Sequence, residues 1–196
     1  MTLARVGLAG NHGSSIAVMD HSTLELTDAR IEDSLPVEPT GQLGRAIELQ
    51  YGVSAIVRRT VIERSHEAAV VVQGSFTLGA ADASFEDIEI RDVRARVCAA
   101  DGRCADPAGI ALSAGFATVR LNRFVIDQAE LCGVQISQGA MLDLSQGRVT
   151  RASVGACVQV DGYDLMRLTD RVVYEDNGIN ISSTSFYVPM TSFGAP

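Results

Sequence analysis

Tryptophan is absent from this 196-residue chain, and aromatic residues of every kind make up only 5% of it. A core nucleated by a few large rings is thereby excluded, and Val, Ile, Leu and Ala must fill the interior. Basic residues are also in short supply. Sixteen Lys and Arg stand against 24 Asp and Glu, a net charge of −8, which lacks the basic stripe of a general nucleic-acid binder. No apolar run approaches the ~18 residues that a membrane-spanning helix needs. Met1-Thr2-Leu3-Ala4-Arg5 does not open a secretory signal, which requires a charged start followed by an apolar block. Proline is rare at 5 residues while glycine reaches 18, a balance that fits many tight turns but not disorder.

A hydrophobic share of 46% supplies one packed domain over residues 1–196 rather than two large ones. That material is arranged as a repeat. An apolar-x-apolar unit recurs as Ile16-Ala17-Val18, Ile47-Glu48-Leu49, Val70-Val71-Val72, Ile110-Ala111-Leu112, Val134-Gln135-Ile136, Val158-Gln159-Val160 and Ile179-Asn180-Ile181. Turn signals such as Tyr51-Gly52, Gln73-Gly74 and Gln138-Gly139 close most of these units. A second unit follows, as in Leu24, Leu26, Ile31 or Val119, Leu121, Ile126, and the period is 23 or 24 residues where no loop intervenes. Strands this short are stable only when stacked on their copies, about 4.8 Å apart. A leucine-rich repeat is the main rival, but neither its recurrent Asn nor a helical segment is present. The expectation is an all-β solenoid of about seven coils. Because the repeat is already under way at Val6 and Leu8, it is expected to be a piece of a longer chain rather than a cytosolic protein complete at Met1.

Stacking makes a prediction about charge. Three residues before the last apolar position of the second unit stand Asp28, Arg59, Asp87, Arg123, Gln146 and Asp170; two residues after it stand Asp33, Arg64, Asp92, Gln128, Arg151 and Glu175. Both columns alternate in sign, broken only by Gln, and neither places two like charges on adjacent coils, although the alignment was set by apolar positions alone. Such columns fix the register of neighbouring strands.

The stacked pattern resembles the right-handed parallel β-helix superfamily, shared by pectate lyases and many bacterial surface proteins. The stretch from Leu131-Cys132-Gly133 through Gly155-Ala156-Cys157 and Asp161-Gly162-Tyr163-Asp164 to Asp176-Asn177-Gly178, within residues 98–189, resembles the terminal coils of β-helix envelope proteins of myxobacterium-like bacteria. That resemblance implies a single-stranded right-handed helix and an extracellular or cell-surface location.

Departures from the repeat are the places to look for function. Loops are inserted at 35–44 and 94–108, at the same point of the coil, and together would form a rim or shallow groove. Cys98 and Cys104 bracket five residues, a spacing that suits a disulfide better than two ligands of a four-ligand zinc site. Cys132 and Cys157 fall on adjacent coils; a second disulfide and two reduced buried cysteines both fit. Residues 182–196 form a C-terminal cap or tail, since Pro189 cannot extend a ladder.

An acid–base site on such a scaffold needs two carboxyl groups ~5–10 Å apart. The outward positions of the first unit offer only Glu48 and, further on, Asp161, while Gln135, Gln159 and Asn180 read as an amide ladder. His12, His21 and His66 read as solvated turn residues. No catalytic residue, metal or cofactor is assigned. Candidate ligand-binding residues are Glu48, Gln135, Gln159, Asp161, Tyr163 and Asp164, with Tyr51, Tyr163 and Tyr174 able to stack on sugars. The leading expectation is a non-catalytic structural or adhesive module, with a carbohydrate-binding or polysaccharide-degrading domain as the alternative. A polysaccharide or cell-surface component is the expected partner, and open coil ends would allow oligomers.

Overall fold

A computed structural model describes residues 1–37, 42–95 and 108–189. Two seven-stranded sheets, parallel throughout, build the molecule. The first contains β1 (Thr2–Ala9), β3 (Thr23–Ser34), β5 (Ser54–Ser65), β7 (Ala81–Val93), β9 (Ala117–Ala129), β11 (Met141–Thr150) and β13 (Asp170–Glu175), neighbours in that order. The second contains β2 (Ser14–Val18), β4 (Arg45–Gln50), β6 (Ala68–Gln73), β8 (Ile110–Gly115), β10 (Cys132–Ser137), β12 (Val154–Val158) and β14 (Ile179–Ser183), again stacked in chain order. The chain therefore alternates between the sheets, and each return lays a strand on its copy. This is an all-β tandem-repeat solenoid of about seven units. Among the described residues no helix is long and apolar enough to cross a membrane.

The long strands alternate buried and exposed residues, as a sheet with one wet face must. Their inward positions stack into columns. One runs Leu3, Leu26, Val57, Phe85, Leu121, Leu144, and another Leu8, Ile31, Ile62, Ile90, Ile126, Val149, Tyr174. Twelve or thirteen residues would make a strand too long for one side of the solenoid, so the chain bends twice. The bends fall on single residues with positive φ. Arg5, Asp28, Arg59, Asp87, Arg123, Gln146 and Arg171 form one column of bends; Asp33, Arg64, Asp92, Gln128, Arg151 and Asp176 form the other. The left-handed conformation is uncommon for residues with a Cβ and costs roughly 1–2 kcal/mol each.

These bends are the two charge columns expected from the sequence, extended by Arg5 and corrected in the last unit. There the bends fall on Arg171 and Asp176, one residue after Asp170 and Glu175, and Tyr174 takes the inward position beside Val149. The shift follows a short 3₁₀ helix, Leu165–Leu168, inserted before β13. Alternation of sign survives the correction. Arg59 Nε donates to Asp28 Oδ1 at 2.5 Å, Arg64 Nε to Asp33 Oδ1 at 2.7 Å, and Arg123 Nε to Asp87 Oδ1 at 2.7 Å.

The short strands differ from the expectation in register. Leu112 and Ala114 pair with Val134 and Ile136, and those in turn with Ala156 and Val158. Ile110 and Val154 therefore stand outside the main core, and Gln135 lies beside Ser113 and Cys157, so no Gln135-Gln159-Asn180 ladder forms. The physical reason is burial on both faces. Every residue of β4, β6, β8 and β10 is buried, and a doubly covered strand carries apolar side chains on either side. A separate apolar cluster, Ala68, Val71, Ile110, Cys132, Val154 and Cys157, lies apart from the main core, and Phe186 packs against it.

Candidate functional site

The six residues singled out from the sequence do not gather at one place. Glu48 is fully buried on β4. Its Oε1 accepts from Arg45 Nη1 and from Gln50 Nε2, both at 2.5 Å, and its Oε2 accepts from Ser14 Oγ at 2.5 Å. Arg45 reaches further, donating from Nε to Glu67 Oε2 at 2.9 Å. Arginine 45 and both glutamates are at most 1% exposed, so this is an interior ion network bridging β4 and the residue before β6.

Gln135 and Gln159 lie beneath the C-terminal segment. Gln135 Oε1 accepts from Ser113 Oγ at 2.9 Å, and its Nε2 donates to the Tyr187 carbonyl at 2.8 Å. Gln159 Nε2 donates to the Phe186 carbonyl at 2.8 Å. Residues 184–187 thus run from β14 back across β12 and β10, rather than over the end of the last coil. Cys132 and Cys157 are joined in a disulfide on the same face, with Cα atoms 6.0 Å apart and both residues fully buried. Cys98 and Cys104, like most of the two inserted loops, lie outside the described residues.

Asp161, Tyr163 and Asp164 belong to the turn before the 3₁₀ helix. Asp161 is exposed, and Asp164 Oδ1 accepts from the Met166 amide at 3.0 Å, capping that helix. The Tyr163 hydroxyl donates to the Leu142 carbonyl at 2.7 Å and accepts from its amide at 3.0 Å. The Tyr174 hydroxyl donates to the Leu168 carbonyl at 3.1 Å. Burial pushes both phenols above the ordinary tyrosine range. Tyr51 is buried. None of the three rings lies open on a flat exposed face. His66 also departs from its expected place in solvent: it is 9% exposed, its Nδ1 3.0 Å from the Ser34 carbonyl.

A polar surface of another kind lies on the long strands, and the sequence did not mark it as a site. A shallow groove crosses the outer face of the long strands where β7, β9, β11 and β13 pass between their two bends. Glu89, Arg91, Asp127, Arg148, Arg151 and Glu175 line it. Asp127 Oδ1 accepts from Arg151 Nε at 2.7 Å and from Thr150 Oγ1 at 2.8 Å. The Arg151 hydrogen bond, reinforced by Thr150, holds the Asp127 carboxyl below the usual carboxylate range. Arg91 pairs with Glu89, and Arg148 Nη1 lies 3.5 Å from Glu175 Oε1. An ionised carboxylate beside guanidinium groups offers acceptors and donors together: the carboxylate accepts hydrogen bonds from hydroxyls and the guanidinium N–H groups donate to them, while a carboxyl held in its ionised form has no proton to give as a general acid. The sequence signal was position: Glu89, Arg91, Asp127, Arg148 and Glu175 stand between the two bend columns, and Arg151 is itself a bend. Among the described residues no three His, Cys, Asp or Glu side chains come together as a metal site.

Comparison with known protein families, with curated proteins and with solved structures finds no match to this chain. Its fold defines its class: a parallel, two-sheet, tandem-repeat β solenoid.

Proposed function

We propose that the chain is a non-catalytic structural or adhesive module of an extracellular or cell-surface bacterial protein, wound as a single-stranded right-handed parallel β-helix. The observation that carries this reading is how each unit is fastened to the next. Arginine–aspartate pairs cross between units at both bends, and a disulfide ties β10 to β12. Such links resist separation along the stacking axis, which is the direction of load in a stalk or an adhesin. A buried structural disulfide also favours an oxidising compartment over the cytosol.

The test is a screen of the folded chain against a glycan array and a panel of uronate-containing and neutral polysaccharides. The expected result is no release of sugar and no bond cleavage. Measurable turnover, abolished by Asp127→Asn, would overturn the non-catalytic reading. Alkylation of the protein isolated from its native source should find Cys132 and Cys157 oxidised, and free thiols there would argue against export.

The groove favours a second reading, binding of a carbohydrate without cleavage. Arg91, Arg148, Asp127 and Glu175 supply the mixture of donors and acceptors that sugar hydroxyls use. In that case Arg148→Ala should weaken a glycan signal at least fivefold while leaving the thermal midpoint unchanged.

A further inference from the structure

We propose that the outer face of β10 and β12 is a binding site for an extended polypeptide carrying an aromatic side chain, and that residues 184–189 occupy it in cis. Three observations place the site. Gln135 is fully buried, yet its amide is aimed out of the sheet at a main-chain carbonyl, that of Tyr187 at 2.8 Å. Gln159, one strand away, treats the Phe186 carbonyl in the same way at 2.8 Å. Phe186 itself seats against an apolar patch that includes Val154 and the sulfurs of Cys132 and Cys157.

The chemistry separates what is read from what is tolerated. Amide side chains that donate to backbone carbonyls hold any extended chain, whatever its sequence, whereas the apolar patch asks for one ring. Ser113 fixes the Gln135 amide by donating to its Oε1 at 2.9 Å, so the donor is oriented without the occupant. By contrast, among the described residues the segment forms no strand after Ser183, where Thr184 N still donates to the Val158 carbonyl at 3.0 Å. A preorganised floor under an irregular occupant describes a site whose tenant can exchange. A segment from another chain with an aromatic residue in the same place would make the same contacts. This inference does not depend on the structural or adhesive reading.

A labelled, blocked peptide of the sequence Thr-Ser-Phe-Tyr-Val-Pro, copying 184–189, is the probe. Fluorescence anisotropy should show saturable binding to the full chain carrying Phe186→Ala, at least tenfold tighter than to wild type, whose own segment competes. Gln135→Leu added to that variant should weaken binding about tenfold. The same peptide with its Phe replaced by Ala should not bind. A Phe186→Ala chain that melts cooperatively and shows no saturable binding, or that binds the Phe-less peptide equally well, overturns the proposal. Should Phe186→Ala fail to fold, a chain with a protease site inserted between Ser183 and Thr184 is folded whole and then cut. It should exchange its severed segment for the labelled peptide, and failure to do so after the segment has left also overturns the proposal. A dimer formed by reciprocal exchange of 184–189 fills the same site in trans and supports it.

Discussion

All sixteen cationic side chains of this protein are arginines; the sequence contains no lysine. The bends explain the preference. Arg59, Arg64 and Arg123 each bond a neighbouring aspartate through two nitrogens, a fork that an ammonium cannot present. The bonds from these arginines, and from Arg151 to Asp127, hold Asp28, Asp33, Asp87 and Asp127 below the ordinary carboxylate range. Because the folded-state values are depressed, the stabilisation is fully present above the unfolded value and is lost as pH falls through the lower folded values. The thermal midpoint should therefore owe no loss to these groups between neutrality and about pH 5, and should fall below about pH 4. Tyr163 and Tyr174 act at the other limb. Their raised values mean that stability declines as pH climbs past about 10, where the unfolded phenols ionise first. In the interior, Arg45 serves two buried carboxylates at once. Arg45→Ala should cost about 3–5 kcal/mol in urea unfolding, because a charge pair is broken where water cannot replace it. A loss under about 1 kcal/mol would show that the network is far less dry than its burial implies.

At the scale of the strand, the long and short elements were unequally legible. β3, β5, β7 and β9 have one face in water, so apolar residues fall on alternate positions and the columns through Leu26 and Ile31 can be read directly. The charge columns were legible for the same reason. β8 and β12 are covered on both faces, and a strand reading Ile110-Ala111-Leu112-Ser113-Ala114 offers two acceptable registers. The larger pair, Ile110 and Leu112, suggests a register that puts Ile110 inside, where the structure puts Leu112 and Ala114. It also moves Cys157 away from Gln135 and creates an amide ladder that does not exist. The cover could not be seen in the pattern because what lies over Gln135 comes from 52 residues further along. The groove was illegible for a different reason: its residues look like ordinary surface charges until strands from four units are stacked. Two element-level outcomes follow. Replacing Cys132 and Cys157 together by Ala should cost about 3.5 kcal/mol, the chain-entropy value for a loop of this size, and should loosen β12 in hydrogen exchange before β6. Gly147→Val should be destabilising by about 1–3 kcal/mol through overpacking, because a Cβ there would lie 2.2 Å from the Phe124 ring; a second change, Phe124→Ala, should make the valine tolerable.

At the scale of the whole molecule, the alternating bends give the solenoid a parity. Each unit carries the sign opposite to its neighbours over the run Arg5, Asp28, Arg59, Asp87, Arg123, and likewise over Asp33, Arg64, Asp92. Lengths of such a rod are then not equivalent. Removing one unit, residues 54–81, would set Asp28 against Asp87 and Asp33 against Asp92, two like-charged contacts at once. Removing two, residues 54–117, would set Asp28 against Arg123 and Asp33 against Gln128. The shorter protein should thus keep the salt response of the parent, losing stability as ionic strength screens attraction, while the protein missing a single unit should gain stability with added salt. Opposite signs in the two melting series would establish the parity; the same sign in both would dismiss it. Losing the unit that carries Arg123 and Gln128 would set Asp87 against Gln146 and Asp92 against Arg151, so there the count can change from even to odd without a like-charged contact. Over the run from Asp28 to Asp92, a solenoid fastened in this way can lose units in pairs but not singly.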